Sequence, residues 1–81
     1  MVLIGGLDRP LAAEIGAALG RAGLESATDG HRFPATHRDN VCNRGATGRG
    51  VQIEVPHRLR HGAPVAVVAA AVRAALGRAG P

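Results

Sequence analysis

The chain has 81 residues and is 46% apolar, yet Phe33 is its one aromatic residue, so we expect a single small domain with a small hydrophobic core. The chain has ten arginines, no lysine and six acidic residues, which give a formal charge of +4. This charge allows contact with an anion, but it is spread along the chain and does not form the blocks of basic residues that are typical of a nucleic-acid-binding tail. The single cysteine, Cys42, excludes an internal disulfide and a cysteine-cluster zinc site, and no apolar run approaches the roughly 18 residues of a membrane span.

The first two predicted elements are a strand and a helix. Val2–Ile4 is a short continuous apolar run that ends at two glycines, as a buried strand does. Asp8 then stands where it can cap a helix whose first turn holds Pro10. Apolar residues recur at helical spacing from Leu11 onward, and Gly23 is placed to end the helix in the left-handed conformation.

A long loop, a strand and a helix are predicted for the rest of the chain. Residues 25–50 show no sustained period, so we expect a loop with at most a short strand or one turn of helix. Val51–Val55 alternates apolar and polar residues, which is typical of a strand. Pro64 opens a second helix with one apolar face, made of Val65, Val68, Ala69, Val72 and Leu76. The order β-α-long loop-β-α predicts a fragment of a three-layer α/β fold, with helices that cover the sheet. The alternation of strands and helices favours parallel pairing of the strands.

The segment Gly45–Gly50 is rich in glycine and arginine, as phosphate-binding loops are. Its spacing matches neither a P-loop nor a dinucleotide fingerprint, and a strand follows it where those motifs need a helix. Some RNA-binding segments also repeat arginine and glycine, but no aromatic residue interleaves here to stack on bases. Nucleotide and nucleic-acid binding are therefore not expected.

Two of the four histidines have the spacing of a metal-ligand pair on a helix. His57 and His61 are four apart, but proline and glycine bracket them, and no third ligand has a suitable position. His31 and His37 lie in the long loop. We expect solvated histidines, and at Cys42 a small buried residue rather than a nucleophile.

From the sequence pattern alone, two interpretations are open for each of Glu54, Asn43 and Arg44. A carboxylate between Ile53 and Val55 is expected to be partly desolvated, which suits general-base chemistry, but a polar residue on the open face of a strand is also ordinary. The amide of Asn43 and the guanidinium of Arg44 together suit the grip of a carboxylate. The other reading is a loop stabilised by an asparagine turn, with an arginine on its surface.

Four short motifs carry a resemblance to a known family. They are IGGLD at residues 4–8, NVCNRG at 40–45, GVQIE at 50–54 and RLR at 58–60. Together with the amphipathic helix after the first motif, their order and spacing resemble the C-terminal part of the phage-type poly-γ-glutamate hydrolase family. The resemblance runs from Val2 to the last helix, and it covers the later part of the family's domain.

This resemblance implies a fold like that of the zinc carboxypeptidases, with a mixed sheet covered by helices. It implies hydrolysis of γ-glutamyl amide bonds in a polyanionic polymer, by a zinc-bound water and a glutamate base on a late strand. Glu54 aligns with that catalytic glutamate. Asn43 and Arg44 align with an Asn-Arg motif, and their chemistry suggests that they bind substrate carboxylates. Arg60 is a weaker candidate for the same role.

Zinc ligands in the family lie upstream of the strand that corresponds to Val2–Ile4, and the histidines of this chain do not occupy ligand positions. We therefore expect this chain to bind no zinc and to be inactive by itself. The expected partners are a γ-glutamyl polymer or peptide, and either a chain that supplies the missing half or a second copy of this chain.

The alternative reading is a small arginine-rich, non-catalytic binding or dimerisation module. It would grip an acidic polymer or a protein partner through residues 43–50. Under either reading the start of the chain is too short for a signal-peptide core, and a cytoplasmic protein without membrane contact is expected.

Overall fold

A computed structural model of the chain describes residues 1–60 and 63–79. Within these residues the strands are β1 (Val2–Gly5), β2 (Ser26–Ala27) and β3 (Gln52–Glu54), and the helices are α1 (Arg9–Arg21) and α2 (Ala63–Ala79). Single 3-10 turns at Val41–Asn43 and His57–Leu59 lie in the connections. Over this part of the chain, neither helix has the length and hydropathy needed to cross a membrane.

Helix α1 begins and ends as its sequence predicts. The Asp8 side chain accepts a hydrogen bond from the N–H of Leu11 at 3.1 Å, and Pro10 lies in the first turn, where its missing N–H is not needed. Gly23 has a φ of +86°, and the N–H of Leu24 donates to the carbonyl of Leu19 at 2.9 Å. This is a left-handed glycine ending, and it turns the chain back toward the sheet.

The sheet is mixed, with the strand order β2-β1-β3. Strand β1 pairs in parallel with β2, with Leu3 opposite Ala27, and antiparallel with β3, with Leu3 opposite Glu54 and Ile4 opposite Ile53. The α/β class, the mixed sheet and the order β-α-long loop-β-α are therefore confirmed. The parallel pairing that this order favours is wrong for the two predicted strands, because β1 and β3 pair antiparallel and the parallel partner of β1 is the short β2.

One hydrophobic cluster joins the sheet to both helices. Its buried members come from β1, α1 and α2: Val2, Ile4, Ala12, Ile15, Ala18, Leu19, Val68, Ala71 and Ala75. Val51, Ile53 and Val55 pack against this cluster, which confirms the predicted apolar face of the second strand.

The buried face of α2 differs from the predicted one. Val68 is buried and Val72 half-buried, but Leu76 is 52% exposed, and the buried positions are instead Ala71 and Ala75. Helix α2 packs against α1, and small side chains allow two helices to approach closely. The predicted end of this helix at residues 80–81 lies outside the described residues.

The long loop folds back over the carboxyl end of β1. The N–H of Gly6 donates to the carbonyl of Pro34 at 2.8 Å, and the N–H of Asp8 donates to the carbonyl of Gly50 at 2.9 Å. As predicted, the loop contains one very short strand and one turn of 3-10 helix. The residues of the Asn-Arg motif are thereby held beside the junction of β1 and α1.

Candidate active site

Glu54 ends the short strand β3, in which it lies opposite Leu3. Its side chain is 38% exposed. A carboxylate in this position can meet a ligand from solvent while its backbone stays fixed in the sheet. The structure thus gives Glu54 both access and a rigid support.

Arg60 lies against the carboxylate of Glu54. Its Nη2 atom is 3.2 Å from Glu54 Oε1, and its Nε–H donates to the carbonyl of Val55 at 2.8 Å. The 3-10 turn His57–Leu59 makes this possible, because it reverses the chain after Pro56 and returns Arg60 to the strand that it has just left. Substrate binding by Arg60 stays a prediction. In the structure its guanidinium contacts the carboxylate of Glu54 and so orients it.

The pair lines a cavity of about 450 Å³ between β3 and α2. Apart from Glu54 and Arg60 its walls are aliphatic, and they comprise Ile53, Val55, Val65, Val68 and Ala69. A cavity with apolar walls and a few convergent polar groups is the usual form of a small-ligand site. The carboxylate therefore lies where a bound molecule would be partly shielded from water.

Asn43 is buried, with 2% of its surface exposed. Its Oδ1 accepts hydrogen bonds from the N–H groups of Leu7 and Gly50, both at 3.0 Å, and its Nδ2 donates to the carbonyls of Ala35 and His37 at 2.7 and 3.0 Å. Direct contact with substrate stays a prediction for this residue. In the structure its amide binds the protein's own backbone.

Glycines let the backbone segments around Asn43 approach one another. A Cβ atom added at Gly50 would lie 1.6 Å from the carbonyl oxygen of Cys42, and one added at Gly6 would lie 2.1 Å from the carbonyl oxygen of Gly50. Gly6 also has a φ of +110°, which other residues rarely adopt. The IGGLD and GVQIE motifs therefore meet through their glycines.

Arg44 is exposed directly after the buried asparagine. Among residues 1–60 and 63–79, its guanidinium has no ion-pair or hydrogen-bond partner, and the same holds for the guanidinium of Arg49 at the other end of the loop. An unpaired guanidinium fork is suited to a planar carboxylate. Within the described residues, the guanidinium of Arg44 is therefore available for the carboxylate binding that the sequence predicts.

The predicted site residues lie in two separate places, one near each end of β3. Glu54 and Arg60 lie at its end, whereas Asn43 and Arg44 lie beside Gly50, just before its start. Four residues of extended chain from Gly50 to Glu54 cover about 13 Å. The backbones of the two places are therefore separated along the strand, by a span that a polymer can bridge.

Comparison with known proteins finds a family that this chain matches. The family model described as poly-gamma-glutamate hydrolase matches residues 1–63. This chain belongs to that family. The fold of the solved bacteriophage poly-γ-glutamate hydrolase is also similar, with a TM-score of 0.89 and 28% identity over 96% of this chain and 45% of that chain.

A relative from Bacillus subtilis (strain 168) supports the same membership. The SPbeta prophage-derived UPF0714 protein YoqZ is 36% identical over 55 residues, which is 65% of this chain and 20% of that protein. This chain therefore spans a fifth of YoqZ and less than half of the solved bacteriophage hydrolase. The family resemblance predicted from the four sequence motifs is confirmed.

The family resemblance also implies zinc, and the described residues do not fit a zinc site. Within residues 1–60 and 63–79, no three His, Cys, Asp or Glu side chains are grouped so that they could hold a metal ion. A catalytic zinc needs three protein ligands. Zinc dependence stays a prediction, and these residues do not supply its ligands.

His31 is a structural residue that the sequence reading missed. It was expected to be solvated, but its ring is half-buried, with Nε2 2.9 Å from the carbonyl of Ile4, and Nδ1 accepts from the N–H of Phe33 at 3.1 Å. His37 and His57 are exposed, as expected, and His61 lies outside the described residues. No sequence motif marks His31, because its partners are backbone atoms.

Proposed function

We propose that this chain forms the part of a poly-γ-glutamate hydrolase that carries the catalytic base and a carboxylate-binding arginine. The observation that carries this proposal is the Glu54–Arg60 pair on the wall of a cavity, in a chain of this family. Glu54 is the base, Arg44 binds a substrate carboxylate, and Arg60 orients Glu54 or binds a second carboxylate.

Amide hydrolysis needs a group that takes a proton from the attacking water and returns one to the leaving amine. The half-exposed carboxylate of Glu54 can do both, because it lies on an open cavity and is held by a rigid strand. Arg60 limits the rotation of this carboxylate by binding Oε1. The Oε2 atom has no hydrogen bond that the structure describes, so it is the oxygen we assign to the water.

Poly-γ-glutamate suits the charge and the spacing of the site. Its γ-linked backbone leaves an α-carboxylate on every residue, and this chain has a formal charge of +4. A polymer of linked residues can bridge the separation of about 13 Å between the two backbone positions. Arg44 therefore holds a polymer residue next to, or beyond, the one whose amide bond reaches Glu54.

Residues outside the described part of this chain belong to this proposal. The described residues do not form a zinc site, so a zinc-dependent enzyme would take its metal donors from outside them, whether from the same protein, from a chain that supplies the missing half or from a second copy. A carboxypeptidase-like fold for the whole enzyme is likewise our proposal. By itself this chain is expected to bind the polymer and leave it uncut.

A chimaera tests the proposal. This chain would replace the matching 45% of the bacteriophage hydrolase, whose fold it shares. We expect the chimaera to shorten poly-γ-glutamate, as followed by light scattering after size exclusion. Glu54→Gln should slow that cleavage by about 10²-fold or more, which is the usual contribution of a general base. Glu25→Gln, at an exposed position, is the matched control.

Two outcomes would contradict this proposal. Unchanged turnover in the Glu54→Gln chimaera would show that another group is the base. Cleavage by the isolated chain loaded with zinc would show that its own residues complete the site.

A non-catalytic module is the second candidate, and the unpaired guanidinium groups of Arg44 and Arg49 favour it. Such a module would bind an acidic polymer or protein through the loop. It predicts that the chimaera binds poly-γ-glutamate without shortening it, while the Arg44→Ala chain loses binding.

A further inference from the structure

One buried amide joins three separate segments of the backbone. Asn43 holds Leu7 and Gly50 through Oδ1, and Ala35 and His37 through Nδ2. An amide oxygen has two lone pairs and an amide nitrogen has two hydrogens, so the hydrogen-bonding capacity of this side chain is fully used. A substrate could bind the amide only if one of these bonds broke.

Asn43 and Gly50 form the neck of the loop 44–49, because Asn43 Oδ1 accepts the N–H of Gly50. Arg44 leaves the chain directly after one side of this neck, and Arg49 directly before the other. Within the loop, the N–H of Gly48 donates to the carbonyl of Gly45 at 3.0 Å. Arg44 and Arg49, which have no side-chain partner among the described residues, therefore flank this neck on the two sides of one closed loop.

We propose that Asn43 is a positioning residue that fixes this neck, so that Arg44 and Arg49 bind carboxylates of the acidic polymer together. The inference deepens the proposed function and rests on it. Arg49 becomes a second carboxylate-binding residue, and Asn43 acts through the two arginines rather than on substrate. Because the loop is already closed, binding does not have to order it.

The asparagine clamp is tested without any ligand. Amide hydrogen exchange by NMR should show protection at the N–H groups of Leu7 and Gly50, and Asn43→Ala should remove it while Leu24 stays protected. Asn40→Ala is the matched control, since the Oδ1 of Asn40 accepts one local bond, from the N–H of Cys42. If the alanine variant at position 43 does not fold, Asn43→Ser, which keeps an acceptor, takes its place.

The positioning role is tested by binding. Fluorescent poly-γ-glutamate is titrated with the 81-residue chain at several salt concentrations, and anisotropy gives the affinity. Arg44→Ala, Arg49→Ala and Asn43→Ala should each weaken binding roughly three- to tenfold and each make the affinity less sensitive to salt, because ionic contacts are lost. In a chain that already carries Arg44→Ala and Arg49→Ala, Asn43→Ala should add little further loss, since Asn43 acts only through these two arginines.

Each result decides a separate claim. A neutral asparagine that contacts substrate directly would lose affinity on mutation but keep the salt dependence, and that result would overturn the positioning role. Unchanged protection of Gly50 in Asn43→Ala would overturn the clamp itself. If the wild-type chain does not bind the polymer, the proposed substrate is wrong, and the exchange experiment still decides whether Asn43 fixes the loop.

Discussion

The guanidinium of Arg60 and the carboxylate of Glu54 form an ion pair, with 3.2 Å between Nη2 and Oε1. Both side chains are partly exposed, so water screens their attraction. The second bond of Arg60, to the carbonyl of Val55, fixes the guanidinium to the strand that carries Glu54. The arrangement holds a carboxylate in one orientation and adds little to the stability of the fold.

This small contribution can be measured. Arg60→Ala and Glu54→Gln should each lower the free energy of unfolding by less than about 1 kcal/mol, with a coupling of roughly 0.2–1 kcal/mol in the double-mutant cycle. Urea unfolding followed by circular dichroism gives these values. Arg58→Ala, at a neighbouring exposed arginine, is the control. A loss of more than about 2 kcal/mol from Arg60→Ala alone would show that the pair supports the fold.

His31 should stabilise the loop as a neutral ring with its hydrogen on Nε2. Nδ1 accepts from the N–H of Phe33, so it cannot carry a hydrogen, and Nε2 donates to the carbonyl of Ile4. His31→Ala is expected to cost about 1–2 kcal/mol of unfolding free energy, because both backbone groups lose a partner. Nitrogen-15 NMR of the ring identifies the tautomer directly.

His37 provides the comparison for that experiment, since it is exposed and its Nδ1 accepts a local bond of the same kind, from the N–H of Asp39 at 3.0 Å. His37→Ala should change the unfolding free energy by less than about 0.5 kcal/mol. Equal effects at positions 31 and 37, or a ring hydrogen on Nδ1 of His31, would refute the assigned hydrogen bonds.

Gly50→Ala should be strongly destabilising. Its new Cβ atom would lie 1.6 Å from the carbonyl oxygen of Cys42, so the backbone of the loop neck would have to move. We expect a loss of about 2 kcal/mol or more, comparable with overpacking a core. Gly45→Ala in the same loop meets no atom within 4 Å and should be nearly neutral in the same urea unfolding experiment. Similar stabilities for the two variants would exclude the close approach.

Leu19→Ala should nearly abolish cooperative folding. Leu19 is fully buried, and removing a buried leucine side chain costs about 2–5 kcal/mol, which is a large part of the stability of a small domain. Leu76→Ala makes the same chemical change at a half-exposed position on α2, and it should cost less than about 1 kcal/mol. Thermal unfolding by calorimetry compares them, and a smaller loss at position 19 than at position 76 would place the core elsewhere.

Sequence patterns predicted much of the local structure of this protein. The capping carboxylate of Asp8, the ending at Gly23 and the alternation of Val51–Val55 are all confirmed, because each depends on residues a few positions apart. The apolar face of α2 was predicted from helical spacing, and Leu76 was wrongly placed on it, since its side chain is 52% exposed. The buried positions are instead Ala71 and Ala75, because small side chains allow α1 to pack closely against α2.

The sequence by itself determined the elements, their order and the family, since these follow from local periodicity and from motifs at fixed spacing. Only the tertiary structure decided what the motif residues touch. It buried Asn43 against backbone groups up to 36 positions away and returned Arg60 to Glu54. Backbone hydrogen bonds between distant segments leave no pattern in side-chain identity, so an asparagine that binds substrate and one that fixes a loop read alike until the chain is folded.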